Sequence, residues 1–153
     1  MKRPNIFLDK STMEKIEFFR QIPLFTDLNN SAMGKVLNIL YKKHYPPQEI
    51  IFKENELGRA VFIIQSGEVE VIKRGKVLTT LGPGEFFGEM ALLEQLPRSA
   101  TVRTVKESDI YLIYKANLDG LIERNPRVGL KIIRNLLKTL SDRLRKTSER
   151  MIE

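Results

Sequence analysis

The sequence contains no cysteine. Disulfides, thiolate chemistry and cysteine metal sites are thereby excluded. It contains one histidine, His44, so a metal site would have to be built from carboxylates alone. His44 stands among strand-type residues and reads as structural; no catalytic and no metal-binding set is expected. No apolar run nears the roughly 20 residues that a membrane span needs. Met1-Lys2-Arg3-Pro4-Asn5 leads into no sustained apolar segment, so no secretory signal is visible and a cytoplasmic location is expected. After Pro126 there is no further proline, and Gly129 is the last glycine.

What is present is ordinary for a globular chain. The 153 residues are 42% hydrophobic, enough for one domain, 1–153, with its own core. The formal net charge is +7 and the pI about 9.7. Such an excess suits an anionic ligand, nucleic acid or a membrane surface. Arg124, Arg127, Lys131, Arg134, Lys138, Arg143, Arg145, Lys146 and Arg150 supply much of it. Strung along one helix, they read as its wet faces rather than as a nucleic-acid patch.

Periodicity divides the chain in three. Residues 1–40 read as helices. Ser11-Thr12-Met13-Glu14 is a capping-box pattern and predicts a helix start at Ser11. Asn30 or Ser31 can cap a second helix, in which Met33, Val36, Leu37 and Leu40 recur at helical spacing. Residues 41–114 read as short strands, at 41–45, 49–52, 60–65, 68–73, 76–81, 100–105 and 109–114, with turns at Ser66-Gly67 and Arg74-Gly75. Residues 115–153 read as helices again: a short one over 117–124, then a long one capped by Asn125 with Pro126 at its first position. The class is therefore α+β, mainly β, of sandwich or barrel type.

Within the strand region lies a stretch of different character, residues 84–102. Gly84 and Gly88 bracket Phe86-Phe87, and helix formers begin at Glu89. A glycine ahead of a helix start lets backbone approach a ligand, and the first N–H groups of the helix suit an anion. Leu96-Pro97 ends the short helix, and Arg98-Ser99 follows. A guanidinium grips phosphate in a two-pronged way. Glu89 repels phosphate and needs another task, such as accepting from a sugar hydroxyl. The plain alternative is a strand–turn–helix with a surface salt bridge between Glu89 and Arg98.

Phe87-Gly88-Glu89-Met90-Ala91-Leu92-Leu93, a short spacer and Pro97-Arg98-Ser99-Ala100-Thr101-Val102 together resemble the phosphate-binding cassette of cyclic nucleotide-binding domains. The resemblance implies an antiparallel β-roll of jelly-roll (double-stranded β-helix) type with N-terminal helices and a long C-terminal helix. It implies that Glu89 holds the ribose 2′-hydroxyl. It implies that Arg98, Ser99 and the N–H groups over Phe87, Gly88, Glu89, Met90 and Ala91 hold the cyclic phosphate. Leu78 and Thr79 correspond to positions on the base side.

The long helix carries two further signals. Leu130, Ile133, Leu137, Leu140, Leu144, Thr147 and Met151 alternate spacings of three and four, a heptad seam that pairs two helices. Val128, Ile132 and Leu136 remain to face the roll. Second, Arg143-Leu144-Arg145-Lys146-Thr147-Ser148-Glu149 resembles the end of the ligand helix in catabolite-activator-type regulators. There the threonine and serine read adenine, the serine from the partner subunit. The implied ligand is cyclic AMP, with cyclic GMP the weaker candidate, and the adenine lies near Arg143, Thr147 and Ser148.

The expectation is thus a homodimeric cyclic AMP sensor that shifts its C-terminal helix, not an enzyme. The single histidine argues against a metal-dependent phosphodiesterase. Catabolite-activator-type regulators continue past this helix into a helix-turn-helix domain, whereas this sequence stops at Glu153. That speaks against direct DNA recognition and for signalling to a downstream protein partner, by a stand-alone chain or as part of a larger one. The alternatives are an interaction module that keeps the fold without the ligand, and a nucleic-acid binder using the basic helix.

Overall fold

The computed structural model describes residues 9–152, so the five residues read for a signal lie outside the described ones. Helix α1 (Lys10–Arg20) starts one residue earlier than the capping box suggests: Asp9, two residues before Ser11, is the cap, its Oδ1 accepting from the Thr12 N–H at 2.6 Å. That bond holds the Asp9 carboxyl below its usual range. A short 3₁₀ turn (Pro23–Phe25) leads to α2 (Asn30–Leu37), capped by the Asn29 side chain rather than by Asn30 or Ser31. Both helices bury one stripe, Ile16 and Phe19 from α1 and Ala32, Met33 and Val36 from α2.

Eight strands follow: β1 (Tyr41–Tyr45), β2 (Ile50–Phe52), β3 (Ala60–Ser66), β4 (Val69–Lys73), β5 (Lys76–Leu81), β6 (Phe86–Phe87), β7 (Thr101–Thr104) and β8 (Ser108–Tyr114). They form two four-stranded antiparallel sheets, ordered β1-β8-β3-β6 and β2-β7-β4-β5. β6 is a strand that the pattern of turns conceals. It has two residues between glycines, yet Phe86 and Phe87 pair with Ile63 and Phe62.

β3 explains why the chain has two cores. Its run Ala60-Val61-Phe62-Ile63-Ile64 is apolar without alternation, as a strand buried on both faces must be. Ala60, Phe62 and Ile64 point between the sheets, beside Phe52, Phe87, Val102, Ile110 and Leu112. Val61 and Ile63 point outward against the helices, beside Phe19, Phe25, Tyr111, Leu118, Ile132 and Leu136. The helices are therefore a second layer on one sheet, and the other sheet bears the exposed β4–β5 hairpin.

α3 (Lys115–Arg124) begins directly at the end of β8, two residues earlier than read from sequence, and α4 (Pro126–Ile152) is one helix of 27 residues. Ile132 and Leu136 of α4 are buried against the roll side. Ile133 and Leu140, two seam residues, also pack on that core, so the seam is shared rather than free. Leu130, Leu137, Leu144 and Met151 are exposed at 51–83%.

Candidate functional site

Gly88 anchors the site. Its φ of +75° is a left-handed conformation that L side chains rarely adopt. A Cβ there would stand 2.6 Å from Arg98 Nη1. Gly88 turns β6 into a four-residue 3₁₀ turn, Glu89–Leu92, shorter than the helix expected up to Leu96. Ala91 already gives its N–H to the Gly88 carbonyl at 3.2 Å, so it drops out of the anticipated anion donors. Glu89 and Met90, first in the turn, have no carbonyl within it to receive their N–H groups.

Arg98 is brought to this turn by backbone pairing. Its N–H donates to Glu56 O at 2.7 Å, its carbonyl accepts from Asn55 N at 2.8 Å, and Gly58 N donates to Leu96 O at 3.0 Å. The guanidinium then lies inside, over the Phe52 ring at 4.1 Å. It donates from Nη1 to Gly88 O at 3.1 Å and from Nη2 to Ala60 O at 2.7 Å. Only two of the five N–H donors of a guanidinium are spent in this way. Burial pulls the Arg98 pKa below its usual value, partly opposed by Glu56. Arginine nonetheless stays charged, so the site holds a half-desolvated cation with donors to spare.

These residues enclose a cavity of about 290 Å³, lined by Phe87, Gly88, Glu89, Met90, Ala91, Arg98 and Ser99 together with Phe52, Val71, Pro97 and Val102. That is near the lower end for small-ligand cavities, about 300 Å³. Glu89 and Arg98 both face it, yet they are not each other's ion partners. Glu89, a buried carboxylate, accepts instead from Arg143 Nη1 of α4. Arg143 also lies over the Phe86 ring at 5.0 Å, and burial lowers its pKa while Glu85 opposes. A neighbouring hollow of about 380 Å³ opens between the roll and α4, lined by Arg143, Phe86, Leu81 and Thr139 among others.

Four expected residues stand apart. Leu78 and Thr79 are exposed on β5, and Thr147 and Ser148 are exposed on the last turns of α4. None of them lines either hollow. Thr147 donates its hydroxyl to Arg143 O at 3.0 Å, within its own helix. The structure also adds residues that sequence reading missed: Phe52, the Ala60 carbonyl and Gly58, where a Cβ would meet Arg98 Cζ at 3.0 Å. A glycine just ahead of a strand is the one signal that pointed to Gly58.

A family model described as the cyclic nucleotide-binding domain matches residues 42–125. The chain belongs to the cyclic nucleotide-binding domain family. Its resemblance to catabolite-activator-type regulators holds in sequence and in structure. The cyclic AMP receptor protein of Thermus thermophilus is 33% identical over 128 residues, 80% of this chain and 57% of that protein. A crystal structure of Thermus thermophilus catabolite activator protein superposes with a TM-score of 0.74 at 31% identity, covering 84% of this chain and 61% of the other. A crystal structure of a cyclic nucleotide-binding domain from Methylobacillus flagellatus gives 0.81 at 27% identity, covering 94% and 83%. The regulatory subunit of cAMP-dependent protein kinase from Yarrowia lipolytica is 39% identical over 107 residues, 69% of this chain and 28% of that protein. The chain thus spans little more than half of the first of these curated relatives and under a third of the second. The matched residues 42–125 include the turn, the lining of the cavity and Arg98 described above.

Proposed function

We propose that this chain is a cyclic AMP sensor that works as a homodimer in the cytoplasm and passes its state to a downstream protein partner. The cyclic phosphate is held by the free donors of Arg98, the N–H groups of Glu89 and Met90 and the Ser99 hydroxyl. The ribose 2′-hydroxyl donates to Glu89. The adenine lies on the α4 side, where the hydroxyls of Thr147 and Ser148 accept from its amino group. Thr147 keeps that capacity while donating to Arg143 O, since a hydroxyl oxygen has lone pairs to spare. Cyclic GMP lacks that amino group and binds more weakly.

One observation carries this reading: Glu89 borders the anion cavity and is tied to Arg143 of α4. A nucleotide that engages Glu89 competes for the group that docks the long helix. Differential contact of that kind is what allows a ligand to shift a conformational equilibrium. The exposed Leu130, Leu137, Leu144 and Met151 supply the dimer seam, and pairing brings a second Ser148 towards each base. No step of covalent chemistry is required.

The test of the ribose role is Glu89→Ala, titrated with cyclic AMP and with its 2′-deoxy analogue. The variant loses affinity for cyclic AMP and little for the analogue. Equal losses for both ligands contradict the role given to Glu89.

A further inference from the structure

Two hollows that share no lining residue with the nucleotide cavity adjoin along α2. The first, about 660 Å³, lies between α2 and the α3–α4 junction. The second, about 820 Å³, lies between α2, α1 and the start of β1. They share Ser31 and Lys35, which form a ridge one helical turn long between them. Among the described residues their walls carry six cations, Lys15, Lys35, Lys42, Arg124, Arg127 and Lys131, and no carboxylate.

Three facts distinguish this groove from a generally basic surface. Of the chain's 26 basic residues, 20 remain when these six are set aside, against 19 acidic ones, so the groove accounts for nearly the whole excess charge. Among the described residues none of the six forms an ion pair with a carboxylate; Lys131 donates only to the Asp27 carbonyl. Gly34 lies in the second hollow within α2, where a Cβ would meet nothing within 4 Å. A mid-helix glycine costs about 1 kcal/mol against alanine. Packing does not demand it here, but an approaching backbone would.

We propose that this groove docks an acidic protein segment, a stretch rich in aspartate and glutamate. The shape favours polypeptide over nucleic acid. The groove is concave and its sole aromatic, Tyr111, is buried, so there is no platform on which bases could stack. Each hollow instead accepts carboxylate side chains while the ridge at Lys35 bridges them. The buried Tyr111 hydroxyl borders the second hollow without a partner among the described residues, and Lys42 stands 5.8 Å from its ring centre. Because α4 begins at the first hollow, a docked segment grips the helix whose Arg143 binds Glu89 at the edge of the nucleotide cavity. The inference gives chemistry to the downstream partner of the cyclic AMP reading and rests on that reading only for its signalling role.

The test uses a fluorescein-labelled deca-glutamate peptide and a labelled ten-nucleotide oligo-dT, each titrated without cyclic nucleotide at low and at physiological salt. Docking then fails or succeeds independently of nucleotide binding. The proteins are the wild type, Lys35→Glu/Arg124→Glu, and Lys146→Glu/Arg150→Glu, which carries the same charge change at the far end of α4. The wild type binds the peptide, the groove variant binds it at least 10-fold more weakly, and the α4 variant stays within twofold. Circular dichroism melts show whether each variant folds, and Lys35→Gln/Arg124→Gln replaces the groove variant if it does not. No peptide binding by the wild type, or equal loss in both variants, overturns the proposal. Tighter binding of oligo-dT than of peptide with the same groove dependence overturns it in favour of nucleic acid.

Discussion

Arg143 donates a hydrogen bond to the carboxylate of Glu89 although 54 residues separate them in sequence. The bond joins the roll to the long helix at the edge of the cavity that Arg98 lines. Glu89 is buried and Arg143 is half exposed, so removing the arginine leaves a carboxylate without its strongest partner.

Arg143→Ala is therefore expected to destabilise the fold by about 1–2 kcal/mol. This is the lower part of the range for a charge-assisted bond, because solvent reaches the guanidinium. Urea unfolding measures it. An unchanged midpoint would mean that the remaining contacts of α4, those of Ile132, Ile133, Leu136 and Leu140 among them, dock the helix without Arg143.

The dimer seam is best tested away from the residues that also serve the roll. Leu140 packs on the monomer's own core, whereas Leu137 is 54% exposed. Leu137→Asp places a charge at a paired apolar position, which is costly. The expected result is a shift towards monomer in sedimentation velocity with a melting temperature near that of the wild-type monomer. Cyclic AMP affinity falls with the dimer. An unchanged sedimentation coefficient contradicts pairing through this seam.

Much of this was legible in the sequence for stated reasons. Gly88, Arg98 and their neighbours form one continuous stretch, so local chemistry and pattern coincide. The strands of the roll alternate with turns that glycine marks at Gly67 and Gly75, both at positive φ. Three things were hidden. Asp9 outcompetes the Ser11 capping box because a carboxylate two residues earlier reaches Thr12 N. The tether from Arg98 to Ala60 O spans 38 residues, and the one from Glu89 to Arg143 spans 54; no periodicity reports such pairs. The basic charge read as the wet faces of one helix divides in space: Arg124 ends α3, and with Arg127 and Lys131 of α4 it joins Lys15, Lys35 and Lys42 in one groove.

His44 provides a pH-dependent test. Its Nδ1 lies 2.7 Å from Asp109 and its Nε2 2.8 Å from Glu107. Those hydrogen bonds, Asp109 first, raise its pKa above 6.5. A raised folded-state pKa gives stability that is fully present below 6.5 and lost as pH rises through the folded value. The site is exposed, so the effect is small. An NMR titration should place the His44 midpoint above 6.5, and His44→Gln should flatten the fall in melting temperature across that window. A midpoint at or below 6.5 contradicts the doubly bonded arrangement.

The central claim is that Arg98 holds the phosphate of cyclic AMP. Its most direct test is calorimetric titration of the wild type and Arg98→Ala with cyclic AMP, cyclic GMP serving as the comparison ligand. The account predicts saturable binding at one site per chain, tighter for cyclic AMP. It predicts a loss of about 2–4 kcal/mol, roughly 30- to 1,000-fold, in the variant. Absence of binding by the wild type at millimolar cyclic AMP, or equal affinity in a folded Arg98→Ala variant, would contradict it.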